Sequence, residues 1–155
     1  MERDERVAML LNEVLRAQLT AANQYFLHSV MCDKWGFVKL AAQRRTASVR
    51  RMNHAQICVE RILVAHGTPA VDELFPMRVG LTVRQQIEND LAMHVQGIPR
   101  LHNAIQACAE LEEIGSREVF QKILLTDEND VDFLEAELHM IREIGIDNYL
   151  AEQVH

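Results

Sequence analysis

Apolar residues recur along this chain in a four-three rhythm that an α-helix places on one face. Val7, Leu11, Val14, Gln18, Ala21, Tyr25 and His28 form the first stripe and predict a helix over roughly residues 5–33. Gly36 marks a turn. A second helix is predicted from about Phe37 to Ala65, with Val49, Met52, Ile62 and Leu63 among its apolar residues and a stop at Gly67 and Pro69. From Gly67 to Leu81 the chain has no period and carries Pro69, Pro76 and Gly80, which reads as a long connection. Thr82-Val83-Arg84-Gln85 is a capping box for a third helix, whose stripe is Ile87, Leu91, His94, Ile98, Leu101, Ile105 and Cys108. Pro99 removes one backbone bond inside that helix and, with Gly97 beside it, predicts a kink. Ser116 is the candidate cap of a fourth helix with the stripe Phe120, Ile123/Leu124, Asp127, Val131, Leu134, Leu138 and Ile141. Gly145 reads as its left-handed stop, and a short fifth helix is expected over about Asp147 to Gln153.

Four long helices with one long crossover in the middle predict two helix hairpins paired in an all-α, four-helix bundle, a single domain over residues 1–155. Composition agrees. Apolar residues at 48% exclude a disordered chain, and six Gly with three Pro leave little material for the turns of an all-β fold. The net charge of −7 and the absence of any Lys/Arg run argue against a nucleic-acid partner. The charged start, Met1 to Arg6, leads into no apolar segment, and no apolar run approaches a membrane span. Cys32, Cys58 and Cys108 are odd in number and lack C-x-x-C spacing, as expected of reduced thiols in a cytoplasmic protein.

Polar residues interrupt each stripe near its middle. They are Gln18, then Arg51 with His54, then His94, then Asp127 with Asp130. Gln18 to Arg51 spans 33 residues and so does His94 to Asp127 (127 − 94), and in each half the second helix adds a polar residue three positions on, on the same face. Two similar hairpins would bring all six to one layer. The plainest reading is a satisfied polar network inside the core, with the costly Arg51 charge paired to Asp127 or Asp130. A second use of the same groups stays open: His54, His94, Asp127 and Asp130 are two imidazoles and two carboxylates, a donor set that suits one zinc or iron ion and a ferroxidase-type enzyme.

The layout is also that of di-iron carboxylate bundles, with one Glu from each of two helices and Glu-x-x-His from the other two. Asn23 to His28, Trp35-Gly36, Met52 with His54-Ala55, Glu60 to Leu63, Asp90 to Ala92, Leu134-Glu135, Glu137-Leu138 and Gly145 with Asn148 to Leu150 make the chain resemble the bacterioferritins of the ferritin-like family over essentially its whole length. The resemblance implies an up-down-down-up bundle with a long crossover and a short fifth helix. It also implies a cytoplasmic, twenty-four-subunit shell around a ferric mineral, and haem b ligated axially by a methionine from each of two subunits. Members with a working ferroxidase centre carry Glu at the positions of Gln18, Arg51, His94 and Asp127 and His at Asp130; only His54 keeps the family residue. Two carboxylates less one guanidinium cannot balance two ferrous ions, so the di-iron centre is expected to be degenerate.

Met52, inside the same motif, occupies the position of the family's haem ligand, on the face next to Arg51. Leu19, Asn23, Phe26, Val49, Ala55 and Val59 are the implied pocket residues, with Ala22 and Arg45 departing from the family pattern. Tyr25 is expected to bond to His94 or a neighbour, and His28 to be structural. Thr46 and Arg50 stand where some relatives carry inner-surface iron ligands. Together these imply an iron-storage subunit that holds haem for electron transfer and iron release and has little ferroxidase activity of its own. It would form a hetero-oligomer with a ferroxidase-active subunit and take electrons from a ferredoxin-type donor.

Overall fold

The computed structural model describes residues 2–155, which form five helices: α1 (Glu2–Lys34), α2 (Val38–Val64), α3 (Val83–Glu110), α4 (Ile114–Ile144) and α5 (Ile146–Ala151). The predicted ends hold to within a few residues, with two differences of mechanism. The cap of α4 is Glu113, whose carboxylate accepts from the Ser116 amide at 3.3 Å, so Ser116 lies in the first turn and is not the cap. The α3 capping box is displaced: Thr82 Oγ1 accepts from the Gln85 amide at 3.1 Å, but the Gln85 side chain accepts from Leu81 N–H rather than from Thr82. α3 runs unbroken through Pro99. Gly145 ends α4 at φ 84°, ψ 154°, a positive φ that favours glycine, although ψ lies far from the left-handed helical value.

Every residue of the predicted α1 stripe is buried. On α3 and α4 the stripe positions Ile87, His94, Leu101, Cys108, Phe120, Ile123, Asp127, Leu134 and Ile141 are buried. On α2 the apolar residues divide: Ile62 is in the core, whereas Val49, Met52 and Leu63 are about half exposed, as the outward position implied for Met52 and Val49 requires. Two apolar clusters result. One gathers Leu11, Leu15, Cys58, Ile62, Cys108 and Phe120, and the other gathers Cys32, Leu40, Ile87, Leu134, Ile141 and Tyr149. Between them lie Gln18, Arg51, His54, His94 and Asp127, all buried. Among the described residues no helix is long and apolar enough to cross a membrane.

The crossover owes its order to α1. Side chains at every fourth position of that helix hold it as a strap. Asn12 donates to the Thr68 carbonyl and accepts from the Ala70 amide, and Arg16 donates to the Leu74 carbonyl. Thr20 accepts from the Phe75 amide at 2.8 Å, Gln24 from Arg78 at 3.0 Å, and His28 Nε2 from Gly80 at 2.9 Å. Fourfold spacing keeps these residues on one line of the helix, so they satisfy backbone groups that an aperiodic segment cannot pair with itself. The strap runs in the direction of α1 after α2 has returned beside it, so α3 starts at the far end and the topology is up-down-down-up. Asp90 of α3 locks the upper end, accepting from Gln24 Nε2 at 2.8 Å and lying 3.1 Å from His28 Nδ1. Gly80 is required there, because a Cβ would fall 2.3 Å from the Gln86 nitrogen.

Replacing Gln24 by Leu removes the acceptor of the Arg78 amide and leaves Asp90 short of a buried donor. We expect a loss of about 1–3 kcal/mol in stability and faster hydrogen exchange at the Arg78 and Gly80 amides, with Thr68–Ala70 unchanged; protection equal to wild type throughout the strap would refute its dependence on Gln24.

Candidate functional site

Arg51 of α2 is 1% exposed and is bonded to all three other long helices. Its NH1 donates to Gln18 Oε1 of α1 at 3.1 Å and to Asp127 Oδ1 of α4. Its NH2 donates to Asp130 Oδ2 at 2.7 Å and, more weakly, to His94 Nδ1 of α3 at 3.4 Å. Asp127 and Asp130 share one face of α4, and the guanidinium spans them with one nitrogen to each instead of engaging a single carboxylate with both. Tyr25 and His94 close the network through a 2.6 Å hydrogen bond between the hydroxyl and Nε2. Gly97, read from the sequence as part of a kink, serves a more specific purpose. A Cβ there would sit 3.2 Å from Asp127 Oδ2, and the bare backbone leaves room for that carboxylate.

Charge in the layer follows from these contacts. Burial works against the Arg51 cation, but the neighbouring carboxylates, Asp127 foremost, outweigh it and hold its pKa above the ordinary value. Burial raises the Asp127 carboxyl, an effect that Arg51 counters by charge and by hydrogen bond. His94 is driven well below the usual histidine range, first by burial and then by Arg51, and is neutral. His54 is lowered to about 4 by burial first and Arg51 second.

Five of the six residues singled out for the layer, Gln18, Arg51, His94, Asp127 and Asp130, meet in one network. His54 does not join it. It is buried, and its Nδ1 has no hydrogen-bond partner. The proposed four-residue ion site is therefore not assembled: among the described residues no three His, Cys, Asp or Glu side chains are grouped as a metal ion requires, and Arg51 stands between the candidates. The chemistry of the donor set points the same way for two irons. The two carboxylates are already engaged by a cation, and Gln18 supplies one neutral oxygen. These residues do not fit a di-iron group.

A ferritin-like domain model matches residues 8–144. The chain is 42% identical to a bacterioferritin of Mycobacterium avium over 99% of its own length and 97% of that protein. It is 38% identical to a bacterioferritin of Streptomyces coelicolor (97% of this chain, 90% of that one) and 34% identical to one of Rhodobacter capsulatus (94% and 90%). The chain belongs to the bacterioferritin family.

The outward face of α1 and α2 carries the other predicted site. Met52 is 49% exposed, and Val49, Phe26 and Asn23 are exposed beside it, with Leu19 and Val59 half-buried. A thioether on an open apolar face is the donor type and setting that an axial haem contact needs, so these residues fit that group. Two of the residues named around it fall elsewhere. Ala55 is 2% exposed and packs in the lower apolar cluster, and Ala22 is buried, its carbonyl accepting from Ser48 at 2.7 Å. Arg45, Thr46 and Arg50 lie at or near the surface, and His66, His102, His139 and His155 are all solvated.

Sequence reasoning passed over three features. The four-residue polar rhythm Asn12, Arg16, Thr20, Gln24, His28 was the signal for the strap. Arg44 is as buried as Arg51 yet bonds only to Gln43 at 2.7 Å, with Nε and NH2 unpartnered, and no spacing announces it. Glu113 binds Arg61 at 2.8 Å and Arg3 at 3.3 Å, tying three helix ends.

Removing Arg51 alone leaves Asp127 buried and unpaired. Arg51→Leu is expected to destabilise the protein by about 3–5 kcal/mol, and Arg51→Leu with Asp127→Leu to recover most of that loss; additive losses in the double variant would sink the pairing. The His54 shift has a pH consequence. Its folded pKa of about 4 lies below the ordinary 6.5, so the unfolded chain binds the proton more tightly. Stability is full above about pH 6.5 and is lost as pH falls toward 4, by up to about 3 kcal/mol from this group. Thermal melts of His54→Leu should show a shallower acid loss than wild type, with the remainder due to His94; identical slopes would exclude a buried neutral His54.

Proposed function

We propose that this chain is a shell-forming subunit for iron storage within the cell that holds haem b through Met52 and leaves iron oxidation to another subunit. One observation carries the reading: the Arg51 guanidinium holds both aspartates of the inner layer, while its sequence neighbour Met52 turns outward onto an exposed apolar face. The relatives are named bacterioferritins, which supports storage of a ferric mineral inside a multi-subunit, twenty-four-chain assembly.

Met52 would supply a thioether from each of two copies across a twofold interface, with Phe26 and Val49 excluding water and Leu19 and Asn23 at the edge. Haem bound there supplies one-electron transfer, and neutral soft ligation favours its ferrous state. The chain's own contribution is to bind and orient that group on rigid helices close to the shell interior, for electrons delivered by a small iron–sulfur donor. The inner layer holds its protons and charges fixed: Arg51 is cationic, His94 neutral, and no carboxylate is free to receive iron. Oxidation of incoming Fe²⁺ then falls to a co-assembled bacterioferritin subunit with an intact centre.

Met52→Leu should abolish the haem absorbance of the purified shell while leaving its size unchanged; full haem retention would end the assignment. Wild-type homopolymer given Fe²⁺ and then oxygen should oxidise it no faster than buffer, and mixed shells containing a ferroxidase-active subunit should oxidise it rapidly. A fast oxidation by the homopolymer would return the activity to this chain.

A further inference from the structure

Beneath the strap, between α1 and α3, a cavity of about 170 Å³ leads from the surface to the Arg51 layer. Liquid water occupies roughly 30 Å³ per molecule, so the space takes a solute of several atoms. Its charged lining is unequal. Arg51 stands with Asp127 at the layer end, already paired with that carboxylate and with Asp130 behind it, while Arg78 comes from the strap and Arg100 from α3 and add two guanidinium groups to the lining. Asp127 is engaged by Arg51. Glu13 answers Arg100 only from the rim, 3.3 Å from its Nε and itself 53% exposed.

Phe75 of the strap packs against part of this charge. The guanidinium of Arg100 stacks 4.4 Å from the centroid of Phe75, with Arg16 over the same ring at 4.3 Å, and Arg100 NH1 lies 3.9 Å from where a Cβ of Gly97 would be. The same point is 3.2 Å from Asp127 Oδ2, so Arg100 reaches the layer end of the cavity. A second, independent observation concerns Arg51. It lines the cavity, is 1% exposed, and its Nε has no hydrogen-bond partner despite four contacts through NH1 and NH2. A buried donor of that kind calls for an acceptor. Guanidinium groups only donate, in a planar fork that matches carboxylate and phosphate oxygens. A cation would meet the like charges of Arg78 and Arg100, and an apolar solute would leave the donors unmet.

We propose that this cavity binds a small oxyanion, a phosphate or a carboxylate, held by Arg51, Arg78 and Arg100. The opening that leads to the Arg51 layer thus admits anions in this chain. Anion binding here is independent of haem at Met52, and its test involves neither haem absorbance nor iron oxidation.

Mineral-free assembled shells should be dialysed to equilibrium against radiolabelled inorganic phosphate, since a ferric core would adsorb the probe. We expect saturable uptake of one phosphate per subunit, displaced by sulfate. It should weaken about tenfold in Arg100→Gln and in Arg78→Gln, each of which removes one charge-assisted contact. Arg84→Gln, an exposed α3 change away from the cavity, should bind as wild type. Arg78 and Arg100 are not buried, and native size and thermal melting confirm that the variants fold. Parallel dialysis against acetate and citrate separates the two sources: saturable carboxylate uptake with the same variant pattern and no phosphate uptake assigns the site to carboxylates. Absence of saturable uptake of any of these anions, or uptake undiminished in both cavity variants, overturns the proposal.

Discussion

A guanidinium in the middle of a helix bundle must be met from several directions at once, and Arg51 is met from all of them. Gln18 on α1, His94 on α3 and Asp127 with Asp130 on α4 converge on a side chain rooted in α2. Each helix is thereby fixed in rotation and in height relative to the other three, because a slip of one residue would carry its polar group off the layer. Apolar packing alone tolerates such slips better, since one branched side chain replaces another at modest cost. A buried charge is less forgiving: losing any one partner exposes the guanidinium or a carboxylate to an uncompensated low-dielectric environment.

The layer also decides how the apolar material is distributed. It separates a cluster around Leu11, Cys58 and Phe120 from another around Cys32, Ile87 and Tyr149. Neither cluster sets register by itself, and the strap adds a second constraint along α1 at four-residue intervals. Its upper end is tied by Gln24, His28 and Asp90, a fully buried polar trio immediately above the Arg51 network. Two polar systems, one across the bundle and one along it, therefore meet on the same helix.

Much of this was legible in the residue order. The 4-3 stripes placed four helices, and one polar break per stripe, with matching 33-residue spacings, placed the layer. Periodicity works there because burial on a helix has a fixed angle. It failed where burial has other causes. Val49, Met52 and Leu63 belong to the apolar rhythm of α2, yet they face outward, as the resemblance implied for Met52 and Val49, and periodicity alone does not separate such a face from the core. His54 satisfied the spacing rule but not the bonding rule; three positions from Arg51 along α2, it is buried without reaching the shared acceptors. The strap carried no period of its own, and its order comes from side chains on another element. The expected kink accounts for Gly97 through its backbone alone; its steric role depends on a carboxylate thirty residues away and leaves no local signal.

Five of the six positions of the layer behave as one unit, and that bears on which charges the layer can hold. Placing glutamate at Arg51 alone, with the rest of the chain unchanged, would set three carboxylates against one another with only the neutral Gln18 and His94 beside them. Repulsion and burial would then protonate one or more of the carboxyls. Adding arginine to a layer that still carried all four carboxylates would leave excess negative charge without a metal and a guanidinium against the ions with one. The observed set avoids both. Two aspartates, each shorter than glutamate by a methylene, leave space between α2 and α4 that the long Arg51 side chain fills. Gln18 adds a neutral acceptor, and the uncharged His94 accepts through Nδ1. The cation at the centre of the bundle is covalently part of the chain. Arg51 balances both aspartates of the interior, and Met52, its neighbour in sequence, stands on the outward face.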